Sequence, residues 1–334
     1  MQDQSPVADI DRYLQQSSMV KMAEEFDGLA TGRVQVPRQR VATRIRDTIV
    51  DADILAYHDF LVPRAGPLFS HFLASIPGIL EEMSRVGVAL SRLSSRRAQN
   101  EDRPYLFYEI DAFDGSNGRT LAAFSGGRVK TLTCSPNKAN DEHFNRFADP
   151  AQSRFIPTSF LKVDRSAIEA SLEDADFHRG FDYIYETAAF QFYGKDREFQ
   201  IQHATRMLKH DGLFFFLEKF DHPDRVEYEK RERAKDELHK AHYFTPEEIE
   251  WKRQQMLLRM HDGEVVLDDF LKAVGMHFSH CYLLWNSTNF YEFVASNDGQ
   301  LLEEFMSLVG EPLNEDHFVF DQPSGRNLLE FARG

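Results

Sequence analysis

The chain contains 334 residues, 42% of them hydrophobic and 28% charged, and it carries a formal net charge of -15. This length accommodates one large α/β domain with a smaller appended region. The negative charge repels phosphate backbones and so argues against nucleic acid as a partner, and no apolar run approaches the roughly 18 residues needed to span a bilayer.

The number of cysteines and the first residues of the chain indicate the cellular compartment of the protein. The two cysteines, Cys134 and Cys281, are too few for a disulfide framework and lack the spacing of metal ligands. The opening segment MQDQSPVADIDRY has neither the basic start nor the apolar stretch of a secretory signal. We therefore expect a cytoplasmic protein and no metal site.

Helical spacing dominates the chain from about residue 7 to residue 97. Apolar residues such as Leu68, Phe72 and Ile76 recur at this spacing, and no alternating strand pattern is present. The polar run from Ser94 to Arg103 has the composition of a linker. These patterns predict a helical N-terminal region over residues 1–100.

Beyond residue 100, short apolar runs alternate with helical stretches, which is typical of βαβ units in a parallel sheet. The predicted strands are Leu106–Ile110, Val129–Leu132, Phe155–Ile156 with Phe160–Val163, Tyr183–Tyr185 and Leu213–Leu217. The predicted helices between them are Asn117–Phe124, Asp141–Phe147 and Asp196–Leu208, followed by a turn at residues 210–212. The pattern predicts a doubly wound α/β sheet.

A charged helical segment, Asp221–His261, then interrupts the alternation and predicts a lid at about residues 220–262. Within it, Thr245 and Glu248 have the spacing of a capping box around Pro246. After a helix over Val265–Val274, the runs Cys281–Trp285 and Phe290–Ala295 predict an antiparallel hairpin that completes a domain over residues 101–298. Residues 299–334 would form an extension with a helix and a short strand.

The first strand ends at Glu109 and Ile110, and the turn Asp111–Gly115 that follows leads into a helix. This segment resembles the first motif of class I S-adenosylmethionine-dependent methyltransferases. That motif is an acidic residue and an apolar residue followed by Gly-x-Gly-x-Gly. Glu109 takes the acidic position and Gly115 the last glycine, whereas Asp111 and Phe113 stand where the first two glycines belong. The first motif is therefore degenerate.

Three further segments match that family in the same order along the chain. The second strand ends at Cys134, in the place of the family's ribose-binding acid, and continues with Ser135 and Pro136. Phe181–Glu186 matches the fourth motif, and Met207–Glu218 matches the fifth strand. The resemblance implies a seven-stranded Rossmann-like sheet, mostly parallel with an antiparallel last strand, and a helical lid.

The same resemblance implies S-adenosylmethionine as cofactor and gives each motif residue a place around it. Glu109, Asp111, Phe113 and Gly115 would line the methionine and ribose side, Cys134 and Ser135 the ribose and adenine side, Ser159 and Phe160 the adenine rim, and Glu186 the floor near the sulfonium. For Ser159 and Phe160 a strand-end polar residue and a core aromatic residue are equally good interpretations. Either Ser135, Asn137 or a loop residue would substitute for the missing acid at Cys134, or the ribose contact would be weaker than usual.

Methyl transfer is an in-line displacement, so the enzyme chiefly holds the nucleophile and the methyl group in line and excludes water. A general base helps when the acceptor is a hydroxyl or a carbon acid. Glu186, His222 and His242 are the candidates for that base. His239 and His242 also have a spacing that can bind metal, but no further ligand joins them.

The expected acceptor is a small molecule, aromatic or lipid-like, of the kind met in specialised-metabolite biosynthesis. Six aromatic residues fall in segments flanking the predicted site and could line its pocket: Phe190, Phe192, Tyr193, Tyr243, Phe244 and Trp251. Long N-terminal helices in such enzymes often exchange between subunits, which makes a homodimer a hypothesis.

Two other functions are compatible with the same predicted fold. Asp111, Phe113 and Cys134 depart from the family at cofactor positions, so a methyltransferase-like protein that binds a ligand or partner without catalysis is the alternative. A nicotinamide-dependent reductase is disfavoured, because Asp111 and Asp114 would repel a pyrophosphate. A cationic sulfonium donor has no phosphate and is compatible with the acidic turn.

Overall fold

Seven strands form one central sheet in the order β3-β2-β1-β4-β5-β7-β6. β7 is antiparallel to both of its neighbours, and the other paired strands run parallel. The structure is a computed structural model that describes residues 6–99, 101 and 103–332. The strands are β1 (Tyr105–Ile110), β2 (Val129–Cys134), β3 (Ser153–Ile156), β4 (Phe181–Thr187), β5 (Leu208–Lys219), β6 (His280–Ser287) and β7 (Phe290–Ser296). The predicted seven-stranded α/β sheet with an antiparallel last strand is confirmed.

Six α-helices precede the sheet in the described part of the chain, as the helical spacing predicts. They are α1 (Pro6–Gln16), α2 (Ser18–Lys21), α3 (Ala23–Ala30), α4 (Ala52–Leu61), α5 (Pro67–Leu73) and α6 (Ile79–Arg97). α6 is the longest, with Glu81 and Glu82 in its first turn and Arg96 and Arg97 in its last. This distribution of charge complements the helix dipole.

The helices after β1 follow the predicted alternation and then form the lid. They are α7 (Ser116–Phe124), α8 (Asn140–Phe147), α9 (Arg165–Ser171), α10 (Arg197–Thr205), α11 (Arg225–Leu238), α12 (Pro246–Lys252), α13 (Leu258–His261), α14 (Leu267–Gly275), α15 (Gly299–Val309) and α16 (Leu329–Ala332). Thr245 and Glu248 form the predicted capping box at the start of α12. A π-helical turn, Arg253–Leu257, joins α12 to α13. No helix among the described residues is long and apolar enough to cross a membrane.

Both faces of the sheet are covered, as expected for parallel strands that are apolar throughout. Phe107 and Phe215 face a core that they share with α4, α6, α7 and α15. Their neighbours Tyr108 and Phe216 face a second core with α9, α10 and α14. Because α6 shares its core with the sheet, the N-terminal helices are part of the scaffold of the sheet, and the division at residue 100 stays a prediction.

Three local predictions were wrong. Phe160–Val163 is not a strand: Ser159 caps a 3-10 turn over Phe160–Lys162 by accepting a hydrogen bond from the Leu161 amide, so β3 ends at Ile156. Residues 210–212 are not a turn but part of β5, at an irregularity where the pairing with β4 shifts from Phe181↔Leu208 to Tyr183↔Leu213. The C-terminal extension contains no strand in its described residues, only α15, a 3-10 turn and α16.

Arg85 joins three elements in the core. Its side chain is buried and pairs with Glu82 on the same helix at 2.6 Å. It also donates hydrogen bonds to the backbone oxygens of Leu284 on β6 (3.0 Å) and of Gly310 after α15 (2.6 Å). The guanidinium therefore satisfies groups that would otherwise be buried without partners.

Replacing Arg85 should destabilise the protein strongly. Arg85→Ala leaves the Glu82 carboxylate buried without its cation, which costs about 3–5 kcal/mol of unfolding free energy. Arg92→Ala on the same helix is the matched control: its pairs with Asp51 and Asp53 are partly exposed, and such pairs contribute about 0–1 kcal/mol. Urea unfolding of both variants measures the difference, and equal losses would contradict the linking role of Arg85.

Candidate functional site

The turn between β1 and α7 has the left-handed backbone of a glycine-rich loop, although two of the three positions concerned are not glycine. Asp111, Phe113 and Gly115 all have left-handed backbones, with φ of 46°, 56° and 66°. Residues other than glycine seldom adopt this conformation, and each such residue costs about 1–3 kcal/mol that the surrounding structure must supply. Such strain is concentrated at functional sites in proteins, which makes this turn the natural centre of the candidate site.

Glu109 holds the start of α7 against β1. Its carboxylate accepts hydrogen bonds from the Gly118 amide (2.9 Å), the Asn117 side chain (3.1 Å) and the Thr133 hydroxyl (3.2 Å). Burial raises the pKa of the Glu109 carboxyl to about 7. Glu109 lines neither of the two cavities described below, so the structure gives it a positioning role at the predicted motif.

Asp111 lies over the carboxyl end of β2. Its carboxylate accepts hydrogen bonds from the Cys134 thiol (3.2 Å), the Phe160 amide (3.0 Å) and the Tyr193 hydroxyl. Burial raises the pKa of the Asp111 carboxyl to about 7. Cys134 is fully buried beneath it. A carboxylate is thus present near the end of β2, but the first turn supplies it and β2 does not.

A small cavity lies at the carboxyl ends of β1, β2 and β4, and we call it the edge cavity. Its walls include Asp111, Phe113, Ser135, Asn137, Asn140 and Thr187. Two polar atoms of this wall, Asn137 Nδ2 and Thr187 Oγ1, are buried without a hydrogen-bond partner among the described residues. Buried polar atoms normally have partners. The edge cavity therefore offers unused hydrogen-bonding groups to a polar ligand.

A second cavity, of about 80 Å³, adjoins the first and lies under the lid; we call it the lid cavity. Its wall is mainly apolar and combines N-terminal helices, the turn after β4 and the lid, with Lys235, Lys240 and Lys252 as its cations. The two cavities share five wall residues: Phe26, Leu68, Phe113, Ala188 and Phe192. A ligand in one cavity would therefore lie next to a ligand in the other.

Of the residues assigned to the cofactor, Asp111, Phe113 and Ser135 line the edge cavity, and so does Asn137, the other named substitute for the acid missing at Cys134. Gly115 packs away from it, because a Cβ atom there would lie 2.6 Å from Thr133 Oγ1 and 3.1 Å from Phe144. A larger residue at position 115 would consequently disturb the packing of β2 and α8 before it reached a ligand.

Ser159, Phe160 and Glu186 also lie outside both cavities. Phe160 is buried against the rings of Phe190 and Tyr193, with ring centroids 5.3 and 5.1 Å away. Glu186 is buried beneath the turn that follows β4 and accepts a hydrogen bond from the Phe190 amide at 3.0 Å. Burial, together with the charge of Glu218, raises the pKa of Glu186 well above its ordinary value.

The three candidate bases are not brought together. His222 lies in the turn before α11, where its ring accepts a hydrogen bond from the Asp224 amide. His242 is exposed and its ring contacts Arg44 at 2.6 Å. Neither histidine lines a cavity, and Glu186 is separated from both cavities by the turn that it supports.

One of the six predicted pocket aromatics, Phe192, lines the cavities. Phe190 and Tyr193 pack into the core beside Phe160, and Tyr243 and Phe244 belong to the opposite core. Sequence reasoning missed Phe26 and Leu68, and it also missed the lysines of the lid cavity. No local motif marks these residues, because distant segments meet there only in the folded chain.

One group of side chains in the described part of the chain has the geometry of a metal site: Asp221, His261 and Glu264. The Glu264 carboxylate, however, already pairs with the Lys219 ammonium at 2.8 Å and accepts a hydrogen bond from Tyr228 at 2.8 Å. A cation would have to displace the lysine. The expectation of no metal stays a prediction.

The chain is similar in structure to class I S-adenosylmethionine-dependent methyltransferases. No protein family model matches its sequence, and no curated protein matches it. Similar solved structures include the plantazolicin methyltransferase BpumL in complex with a monoazolic desmethylPZN analogue and S-adenosylhomocysteine (10% identity, TM-score 0.44, covering 84% of this chain and 98% of that one). Others are the cyclopropane synthase MmaA2 from Mycobacterium tuberculosis (12%, 0.42, 70% and 74%) and an O-methyltransferase from Bacillus cereus in complex with S-adenosylhomocysteine (10%, 0.39, 75% and 93%).

The buried Glu109 should make stability depend on pH in a defined direction. Because its folded pKa of about 7 exceeds its unfolded value, the folded state keeps a proton that the unfolded state loses, and stability falls as pH rises between these values. Glu109→Gln lacks this loss, so its unfolding free energy relative to wild type should rise by about 3 kcal/mol from pH 4 to pH 8. Chemical denaturation across this range measures the trend.

The exposed Glu142 provides the control. Glu142→Gln should stay within about 0.5 kcal/mol of wild type at every pH. A flat difference for Glu109→Gln would contradict the burial of an ionisable carboxyl at this position.

Proposed function

We propose that the protein is an S-adenosylmethionine-dependent methyltransferase that acts on a small-molecule acceptor. The observation that carries this proposal is the pair of adjoining cavities at the carboxyl edge of the sheet, one with unpartnered polar groups and the other mainly apolar. Ligands of doubly wound sheets bind at this edge. Specialised-metabolite biosynthesis, a cytoplasmic location and a homodimer belong to the same proposal as expectations from the sequence.

The residues of the edge cavity fit the methyl donor. Asn137 and Thr187 carry unpartnered polar atoms, and Ser135 and Asn140 line the same wall; together they would hold the ribose and amino-acid groups. Asp111 would favour a cationic sulfonium, since opposite charges attract strongly in a buried site. Among the described residues no lysine or arginine lines this cavity, which disfavours the pyrophosphate of a nicotinamide cofactor.

The donor, when bound, supplies an electrophilic methyl group. The protein must then place the acceptor beside this methyl group and exclude water from the site. Both effects promote methyl transfer whatever the acceptor atom is. Phe113, Ala188 and Phe192 stand where the two cavities meet and would orient both ligands. Since Glu186, His222 and His242 line neither cavity, we propose catalysis mainly by positioning, without a dedicated base among these three.

A second candidate function is binding without catalysis, and Phe113 favours it. Its side chain borders both cavities and packs against Phe69 and Phe72, with ring centroids 5.9 and 4.9 Å away. A methyltransferase with glycine at this position has open space there. If Phe113 blocks the methyl donor, the wild-type protein will not bind S-adenosylhomocysteine, and Phe113→Gly will gain that binding.

Calorimetric titration with S-adenosylmethionine, S-adenosylhomocysteine and NADPH tests the proposal before any acceptor is known. We expect both adenosyl ligands to bind and NADPH not to bind. Asn137→Ala should weaken adenosyl binding by about tenfold, because one hydrogen bond contributes about 1 kcal/mol or somewhat more. The exposed Asn145 on α8 gives the matched control, and Asn145→Ala should leave the affinity unchanged. Absence of adenosyl binding in the folded wild-type protein would overturn the proposal.

A further inference from the structure

Four lysines are buried together at the lid end of the lid cavity. Lys219, Lys235 and Lys240 are each 1% exposed and Lys252 is 9% exposed. Lysines are almost never buried this deeply unless they are paired. Three of the four, all except Lys219, form part of the cavity wall.

Carboxylates balance only part of this charge. Glu264 pairs with Lys219 at 2.8 Å, Glu232 with Lys235 at 2.7 Å, and Asp236 with Lys240 at 2.7 Å. Lys252 has no carboxylate partner among the described residues, and Asp236 is shared with Arg253 at the rim. The buried cluster therefore contains one more lysine than carboxylates.

As an ammonium, Lys252 can donate one more hydrogen bond than its partners in the described chain accept. Ser75 donates its own proton to the His71 carbonyl at 2.6 Å, so its oxygen accepts from Lys252 at 2.7 Å. The His71 ring contacts the Gln35 carbonyl through Nδ1 at 3.1 Å, which leaves Nε2 to accept from Lys252. An ammonium has three protons, and these partners use two of them. Burial and the neighbouring lysines hold the pKa of Lys252 well below its ordinary value, as expected where no anion is bound.

The backbone beside Lys252 is also unusual. A π-helical turn begins at the next residue, Arg253, and contributes Met256 and Leu257 to the same cavity. Turns of this kind interrupt helices frequently at functional sites. The remaining wall offers apolar contacts from Phe26, Phe72, Phe192 and Met260. The cavity thus combines an apolar body with one cationic end.

We propose that the lid cavity binds an amphipathic monoanion, a carboxylic acid with an aromatic or aliphatic body, whose carboxylate is held by Lys252 with Lys235 and Lys240. The claim that this acid is the methyl acceptor rests on the proposed function, whereas the claim that the acid binds does not. A single negative charge matches the single excess cation, which favours a carboxylate over a phosphate dianion. The methyl donor also carries a carboxylate, in its amino-acid group. The experiment must therefore distinguish binding of a separate acid from binding of the donor's own carboxylate.

The test compares acids with their uncharged amides by calorimetry. Hexanoate, phenylacetate and trans-cinnamate are titrated into the full-length protein beside hexanamide, phenylacetamide and cinnamamide. We expect at least one acid to bind about tenfold or more tightly than its amide, since hydrogen bonds to charged groups contribute about 1.5–3 kcal/mol. If no acid binds more tightly than its amide, the proposal is overturned without recourse to any variant.

Variants then locate the anion. Lys252→Met should remove the preference for the acid while leaving amide affinity within about twofold, as expected when only a charged contact is lost. Lys272→Met, on the exposed face of α14, should change neither. Because Lys252 is buried without an anion, Lys252→Met should also raise the melting temperature of the ligand-free protein. A preference for acids that survives in folded Lys252→Met would overturn the assignment.

Titration with S-adenosylhomocysteine separates this proposal from the proposed function. Acid binding that persists when S-adenosylhomocysteine is saturating supports an acceptor site. Competition between the two would attribute the lysine cluster to the donor carboxylate and overturn the proposal. Binding of S-adenosylhomocysteine without any acid preference would leave the proposed function intact, and acid preference without S-adenosylhomocysteine binding would remove the proposed function alone.

Discussion

The shape of the candidate site depends on one constraint, the left-handed backbone of the turn between β1 and α7. Three alternate residues of this turn have positive φ, and two of them are not glycine. The hydrogen bonds of Glu109 to α7 and to β2 hold the turn in place from below. Because the turn is fixed, Asp111 reaches the end of β2 and Phe113 stands between the two cavities. The side chains of Asp111 and Phe113 therefore occupy positions where the motif that this turn resembles has glycines.

Charge is distributed unequally between the two cavities. The wall of the edge cavity has the carboxylate of Asp111 and, in the part of the chain that the structure describes, no basic residue, whereas the wall of the lid cavity has three lysines. Burial makes each of these charges costly unless an opposite charge is near. The two cavities therefore favour ligands of opposite sign, a cationic group on one side and an anionic group on the other.

The sequence predicted the architecture well because the sheet depends on local patterns. Apolar runs such as Leu213–Leu217, helical spacing and the capping box at Thr245 each act within a few residues, and all three appear in the structure. The cavity walls were not predictable in this way. Phe26 and Leu68 precede the sheet by many residues, and Lys252 sits in a helix whose charged pattern is also that of a solvated surface.

Motif matching directed attention to this turn, and the structure divides the motif residues between a cavity wall and the packed interior. Asp111, Phe113 and Ser135 line the edge cavity, and their contact with a cofactor stays a prediction. Gly115 and Glu109 instead lie in the packed interior. A glycine can permit the close packing of two elements as well as the approach of a ligand. That choice depends on the neighbours Thr133 and Phe144, which the motif does not include.

Three contacts join the lid to the N-terminal region. Arg38 donates to the Phe244 carbonyl at 2.7 Å, Gln35 to the Glu248 carbonyl at 3.1 Å, and Arg259 pairs with Glu25 at 3.0 Å. None of these six residues lines the lid cavity. Substitutions at these positions would therefore alter how the lid is anchored without changing the groups that the cavity wall offers to a ligand.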